Sequence, residues 1–144
     1  MTGLLAKPAQ DWDAGYQFVD MLESFRPSGG LARGPEVFAL FARLSVADVG
    51  TLAGWIVNRK VICFEWQARM WLPLFQFNRA DMSPQAGLRD VLQVLTPDFE
   101  PWQLAQWFAR PNTGLSGQSP CDALAEQPVS VLRAARADLP GMTH

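Results

Sequence analysis

Apolar residues recur along most of this chain at helical spacing. Phe18, Met21, Leu22 and Phe25 fall at i, i+3, i+4 and i+7, which is one face of a helix. Asp11 or Asp13 is placed to cap that helix, after a loose tail over residues 1–10. Arg26-Pro27-Ser28-Gly29-Gly30 stops it, since proline and paired glycines do not continue a helix. This run is the best linker in the sequence and would leave the first helix as an accessory arm. Pro35 opens a second helix with Val37, Leu40, Phe41 and Leu44 on one side. Ser45 and Asp48 form an N-cap pair for a third, amphipathic through Val49, Leu52, Ala53 and Ile56 and ending near Asn58.

The period then drops to two. Ile62, Phe64 and Trp66 alternate with Val61, Cys63 and Glu65, in a stretch rich in β-favouring residues. Gln67-Ala68-Arg69 turns the chain, and Met70 to Phe77 returns as a second strand that Pro73 confines to an edge. Helical spacing resumes after the start signal Ser83-Pro84, with Leu88, Val91, Leu92 and Leu95 as its stripe. Pro101 opens the next helix, with Leu104, Ala105 and Phe108 facing inward. A short helix then buries Ala123 and Leu124, and Pro128 starts a last one that turns Val131, Leu132 and Ala135 to the core. The predicted fold is mainly α: a compact bundle of short helices with a small two-stranded β-hairpin near residues 61–77. It divides into an N-terminal helix and linker (1–30), a helical segment with the hairpin (31–83) and a helical C-terminal region (84–144).

Composition narrows the function. With 49% hydrophobic and 18% charged residues over 144 positions, the chain is globular and large enough for one real core. A net charge of −2 argues against general nucleic-acid affinity. The charge is uneven: from Arg33 to Arg79 six basic residues face three acidic ones, a local +3 that leaves −5 elsewhere. Cys63 and Cys121 are the only cysteines, both in apolar surroundings, as expected of two buried thiols in a reducing compartment. No signal-peptide pattern and no membrane-length apolar run is visible, so a cytoplasmic location is expected.

Enzymatic constellations are sparse. The single histidine is the last residue, His144, a poor place for a Ser-His-Asp or Cys-His arrangement or for a zinc ligand. No phosphate-cradling glycine motif is present, and no cofactor is expected. Asp98 and Glu100 lie at a helix start, where the helix dipole already accounts for negative charge. Six tryptophans and nine phenylalanines fill a core, with Trp102 or Trp107 available as an exposed anchor for a partner. Leu44 to Trp55 has the look of the first helix and turn of a helix-turn-helix, with the hairpin as a wing. In that alternative Arg43, Arg59 and Lys60 would contact DNA.

The most distinctive stretch runs from Trp107 to Leu124. Pro111 cannot continue a helix, Asn112 and Gly114 suit turn conformations, and Leu115 between glycines is placed to plug a core. Ser119-Pro120 with Asp122 three residues after the cap restarts a helix. The wording Trp-Phe-x-x-Pro-Asn-x-x-Leu-x-Gly-x-Ser-Pro-x-Asp-x-Leu resembles the signature of the Xre/MbcA/ParS-like toxin-binding domain of bacterial antitoxins. Two upstream segments are similar to that family as well, in the same order. They are Trp71 to Asn78, with its Pro73-x-x-Gln76-Phe77 element, and Gly87-Leu88-Arg89-Asp90-Val91-Leu92.

The resemblance implies an antitoxin-like protein with no catalysis of its own. It would neutralise a RES-type toxin, which consumes or transfers from NAD, by binding it and covering its active site. Carried onto this chain, the contact surface would involve Trp107, Arg110, Asn112, Ser119, Asp122 and the tail Met142, Thr143 and His144. Asn112 and Ser119 would shape the corner, Arg110 would pair with an anion, and the tail would act as a plug. This chain has Leu115-Ser116-Gly117 where relatives commonly have Leu-Gly-Gly, and Cys121 where they carry an aliphatic residue. A homodimer is expected, because an edge hairpin and surplus aromatics are readily buried by symmetry. A DNA-binding regulator using Arg43, Arg59 and Lys60 is the alternative.

Overall fold

Proline and glycine punctuate the chain, and most elements begin or end at them. The computed structural model describes the backbone of residues 2–139 and the side chains of residues 13–139. Helix α1 spans Thr2–Phe25, so it starts well before the expected Asp11 or Asp13. A 3₁₀ turn over Arg26–Ser28 and two left-handed glycines, Gly29 and Gly30, follow. Strand β1 (Leu31–Arg33) leads directly into α2 (Gly34–Leu44), and α3 (Val49–Val57) follows. There Asp48 is the cap, its carboxylate accepting from the Thr51 N–H at 3.1 Å. The hairpin β2 (Phe64–Trp66) and β3 (Arg69–Pro73) comes next, then α4 (Leu88–Leu95), α5 (Pro101–Ala109), α6 (Pro120–Ala123) and α7 (Pro128–Ala137).

The mainly α class holds, but the sheet has three antiparallel strands in the order β1-β3-β2, one more than expected. The missing strand is only Leu-Ala-Arg, too short to show a period. Its pairing, Ala32 with Leu72, makes β3 the central strand. Pro73 therefore does not mark an edge; it ends the central strand. The hairpin register pairs Phe64 with Trp71 and Trp66 with Arg69, and continued two pairs further it would set Ile62 opposite Pro73, which has no N–H to donate. The buried Gln76 fills the gap. Its side-chain oxygen accepts from the Ile62 N–H at 2.7 Å, and its amide nitrogen donates to the Ile62 carbonyl at 2.8 Å. A 3₁₀ turn over Leu74–Gln76 brings that side chain back to the strand.

The alternation over 61–64 sorts residues to two cores. Ile62 and Phe64 join a larger core with α4, α5 and α7, while Val61, with the half-buried Cys63, joins a smaller core with Val37, Phe41 and Leu52. The sheet lies between them. Phe18, Met21 and Phe25 also belong to the larger core, so α1 is part of the domain and not a free arm. The run after it is no loose linker either, since Leu74 N–H donates to the Gly30 carbonyl at 2.9 Å.

Two further expectations need correction. Ser83-Pro84 does not start a helix. Ser83 is bonded into the loop, its hydroxyl donating to the Asp81 carboxylate at 2.7 Å and accepting from the Asn78 amide at 2.8 Å. Helix α4 instead follows Gly87, whose φ of +90° and near contact with Pro128 (2.7 Å from an added Cβ) admit only glycine. Arg59, expected among DNA contacts, is turned inward. Its backbone closes α3 at φ 56°, with Arg59 N–H bonded to the Ile56 carbonyl and Lys60 N–H to Trp55. That is the double bond of a Schellman cap, with arginine where glycine is usual. The guanidinium donates to the carbonyls of Phe99 and Thr96, just past the end of α4, where a cation is favoured.

Replacing Gln76 by Leu leaves the Ile62 N–H and C=O buried without partners and should cost about 2–4 kcal/mol of unfolding free energy. Gln76→Glu should be pH-dependent, because only the protonated acid can donate to the Ile62 carbonyl. Its folded-state pKa is thereby raised, so stability should be greatest below about pH 4 and fall as pH rises. Gln67 and Ala68, both at positive φ (50° and 63°), make a turn suited to Asn-Gly. The double change Gln67→Asn/Ala68→Gly should add about 1 kcal/mol in urea unfolding.

Candidate functional site

The corner between α5 and α7 is built by local bonds that follow from its sequence. Glu100 precedes Pro101, and its N–H is taken by the Gln103 side chain at 2.8 Å, which starts α5. Pro111 ends it. Asn112 then organises the turn. Its side-chain oxygen accepts from Gly114 N–H at 2.8 Å, and its carbonyl accepts from both Leu115 and Gly117. Leu115 is buried as the expected plug, and Ser116 takes a left-handed φ of 57° before Gly117.

Asp138, just past α7, ties this corner to the neighbouring helix. One carboxylate oxygen accepts from the Trp107 indole N–H at 2.8 Å and from the Asn112 amide at 3.0 Å. A carboxylate at a helix C-terminus opposes the helix dipole; here the two donors from α5 and the corner compensate. The residue escapes a reading of hydrophobic spacing, but an acid in a last helical turn was the signal that could have found it.

Trp107, Arg110 and Asn112 come together around a recess of about 340 Å³, with Phe99, Gln103 and Asp138 also in its wall. Arg110 is exposed and has no side-chain ion pair or hydrogen bond among the described residues. It also lines a second recess of about 270 Å³, closed on the far side by Asp20 and Glu23 of α1. The first helix, outside the expected surface, thus contributes to the site. Trp102 is held between Phe64 and Trp66, its N–H donating to Gln17 at 2.8 Å, and like Trp107 it is half-buried against the larger core.

Ser119 and Asp122 line neither recess. Ser119 is buried and donates to the Asp122 carboxylate at 2.9 Å, a bond that secures the start of α6. Met142, Thr143 and His144 lie outside the described residues.

Burial pushes the Cys63 thiol up to about 11 and raises that of Cys121, the latter against an opposing hydrogen-bond contact with Ser119. Both are free and protonated at neutral pH, hence weak nucleophiles. Among the described residues no group of three His, Cys, Asp or Glu side chains converges as a metal would require, and no helix is long and apolar enough to cross a membrane. Comparison with family models, curated proteins and solved structures returns no match.

Removing the acceptor that joins Trp107 to Asn112 tests this construction. Asp138→Ala should lower stability in urea by about 1 kcal/mol, while Asp122→Ala, which loosens only α6, should cost less.

Proposed function

We propose that this chain is an antitoxin-like protein that neutralises a RES-type toxin by direct binding, its α5–α7 corner covering the toxin's NAD-consuming active site. Three segments similar to the Xre/MbcA/ParS-like toxin-binding family, in order, motivate the partner. The observation that carries the surface is the grouping of Trp107, Arg110 and Asn112 around one recess, with a guanidinium that has no partner among the described residues. An aromatic anchor beside a free arginine is a common centre of protein recognition. The antitoxin acts by occlusion and needs no catalytic group. The structural role found for Gln76 also gives the family's Pro-x-x-Gln element a physical reason here, apart from any contact with a partner.

A DNA-binding role is the second reading. The connectivity favours it once α2, and not Leu44 to Trp55, is taken as the first helix: α2, a four-residue turn, α3 and then a hairpin in the position of a wing. The side chains oppose it. Helix α3 reads Val-Gly-Thr-Leu-Ala-Gly-Trp-Ile-Val, with no charged residue to meet base edges or phosphates. Arg59 is engaged by carbonyls, which leaves Arg43 and Lys60 exposed.

Co-expression with a RES-domain protein should yield a complex that co-purifies. Arg110→Glu should weaken it at least ~30-fold with unfolding unchanged; undiminished capture by this variant would reject the surface. Retention on duplex DNA that falls steeply with salt would favour the second reading.

A further inference from the structure

A recess of about 400 Å³ opens where the end of α3 meets the start of α4. Trp55 and Lys60 line one side of it, and Gln85, Gly87 and Arg89 line the other. The backbone is fixed on both sides. Lys60 N–H donates to the Trp55 carbonyl at 2.8 Å, so the cap of α3 ties these two together. Opposite, Gln85 N–H donates to the Gln76 carbonyl at 2.8 Å, and Gly87 stands against Pro128. A recess held in this way is formed before any ligand arrives, as small-molecule sites usually are. It shares no residue with the two recesses beside Arg110.

Its charge is of one sign. The recesses beside Arg110 contain Asp20, Glu23 or Asp138, whereas no carboxylate lines this one, although the chain as a whole carries −2. Asp90 is exposed next to Arg89 but is not part of the wall. The side chains of Lys60, Gln85 and Arg89 have no hydrogen bond or ion pair among the described residues. Two cations without an acid select an anion. Trp55 then selects the shape. Its ring stands edge-to-face on Phe41, with centroids 5.6 Å apart at 89°, and is thereby held in place against the smaller core. An indole in a recess offers a platform on which a flat ring stacks. At about 30 Å³ per non-hydrogen atom, the volume suits about a dozen such atoms, which is one nucleobase and not two.

We infer that this recess binds a free nucleoside monophosphate, with its base stacked on Trp55 and its phosphate paired with Lys60 and Arg89 at the rim. A phosphate monoester carries about two negative charges at neutral pH, which matches two cations where a carboxylate would leave one unused. The Gln85 amide supplies a donor and an acceptor for the edge of the base. A free nucleotide fits better than a strand, because successive bases of a strand need successive stacking rings and no second aromatic lines the recess. Lys60, a candidate for contact with duplex DNA on sequence grounds, thereby gains a different anionic partner. The inference stands whether or not the toxin reading does.

Calorimetric titration of the full chain with AMP at low salt should give a Kd on the order of 100 µM. Adenosine and inorganic phosphate, each making part of the contacts, should bind at least ~10-fold more weakly. Lys60→Gln and Arg89→Gln alter exposed side chains and should keep the parent's melting temperature, while each weakens AMP by about 5-fold and the pair by at least ~20-fold. Trp55→Leu should abolish binding; if it also lowers the melting temperature, the two exposed variants carry the test. Absence of AMP binding up to about 5 mM overturns the proposal, as does binding that the Lys60→Gln/Arg89→Gln pair leaves intact. Phosphate binding as tightly as AMP would reject the stacked base. A single strand of about six nucleotides that binds at least ~10-fold more tightly than AMP would overturn the free nucleotide in favour of nucleic acid.

Discussion

Everything in this fold leans on a sheet whose central strand ends in a residue that cannot donate a hydrogen bond. Pro73 closes β3, and the position opposite it, just before β2, belongs to Ile62, buried in the larger core. An unpaired peptide there would cost on the order of one to three kcal/mol. The Gln76 amide presents a donor and an acceptor at peptide spacing and takes up both groups of Ile62. Because one side chain completes the ladder, the chain is free to leave the sheet at Pro73 and turn into the loop that leads to α4. The proline and the glutamine three residues on are a single device.

The sheet in turn separates the two surfaces that matter. Helices α5 and α7 pack into the larger core and carry the recess around Trp107 and Arg110 on their outer side. Helix α3 packs into the smaller core, across the sheet. Arg59 spans the two halves: it closes α3 with its backbone and holds the end of α4 with its guanidinium. The left-handed arginine is strained by about a kcal/mol, and charge-assisted bonds to carbonyls at a helix terminus offset that.

Helix faces were legible because a 3.6-residue period needs no distant information: Phe18, Met21 and Phe25, Val37 and Phe41, and Leu88, Val91, Leu92 and Leu95 are buried as their spacing demands, with Leu22, Leu40 and Leu44 half-buried beside them. The alternation of Val61 to Phe64 was legible too, although it recorded a sheet covered on both sides and not one hairpin on a core. The turn at Asn112 and the plug at Leu115 followed from residue chemistry, while of the expected Ser45–Asp48 pair only Asp48 caps α3. The Ser83-Pro84 signal failed because the same hydroxyl that caps a helix bonds equally well to a nearby aspartate and asparagine.

By itself, then, the sequence determined a mainly helical domain, the inward face of most helices, and a Pro-Asn-Gly corner with Trp107, Arg110 and Asn112 around it. These depend on contacts a few residues apart, which periodicity and turn chemistry encode directly. Only the tertiary structure decided that a three-residue strand makes β3 central, that α1 lines the site, and that Asp138 fastens Trp107. It also decided that Arg59 points inward while α3 shows an apolar face outward. Each of these pairs groups about thirty or more residues apart or weighs burial against exposure, and no local pattern carries that information.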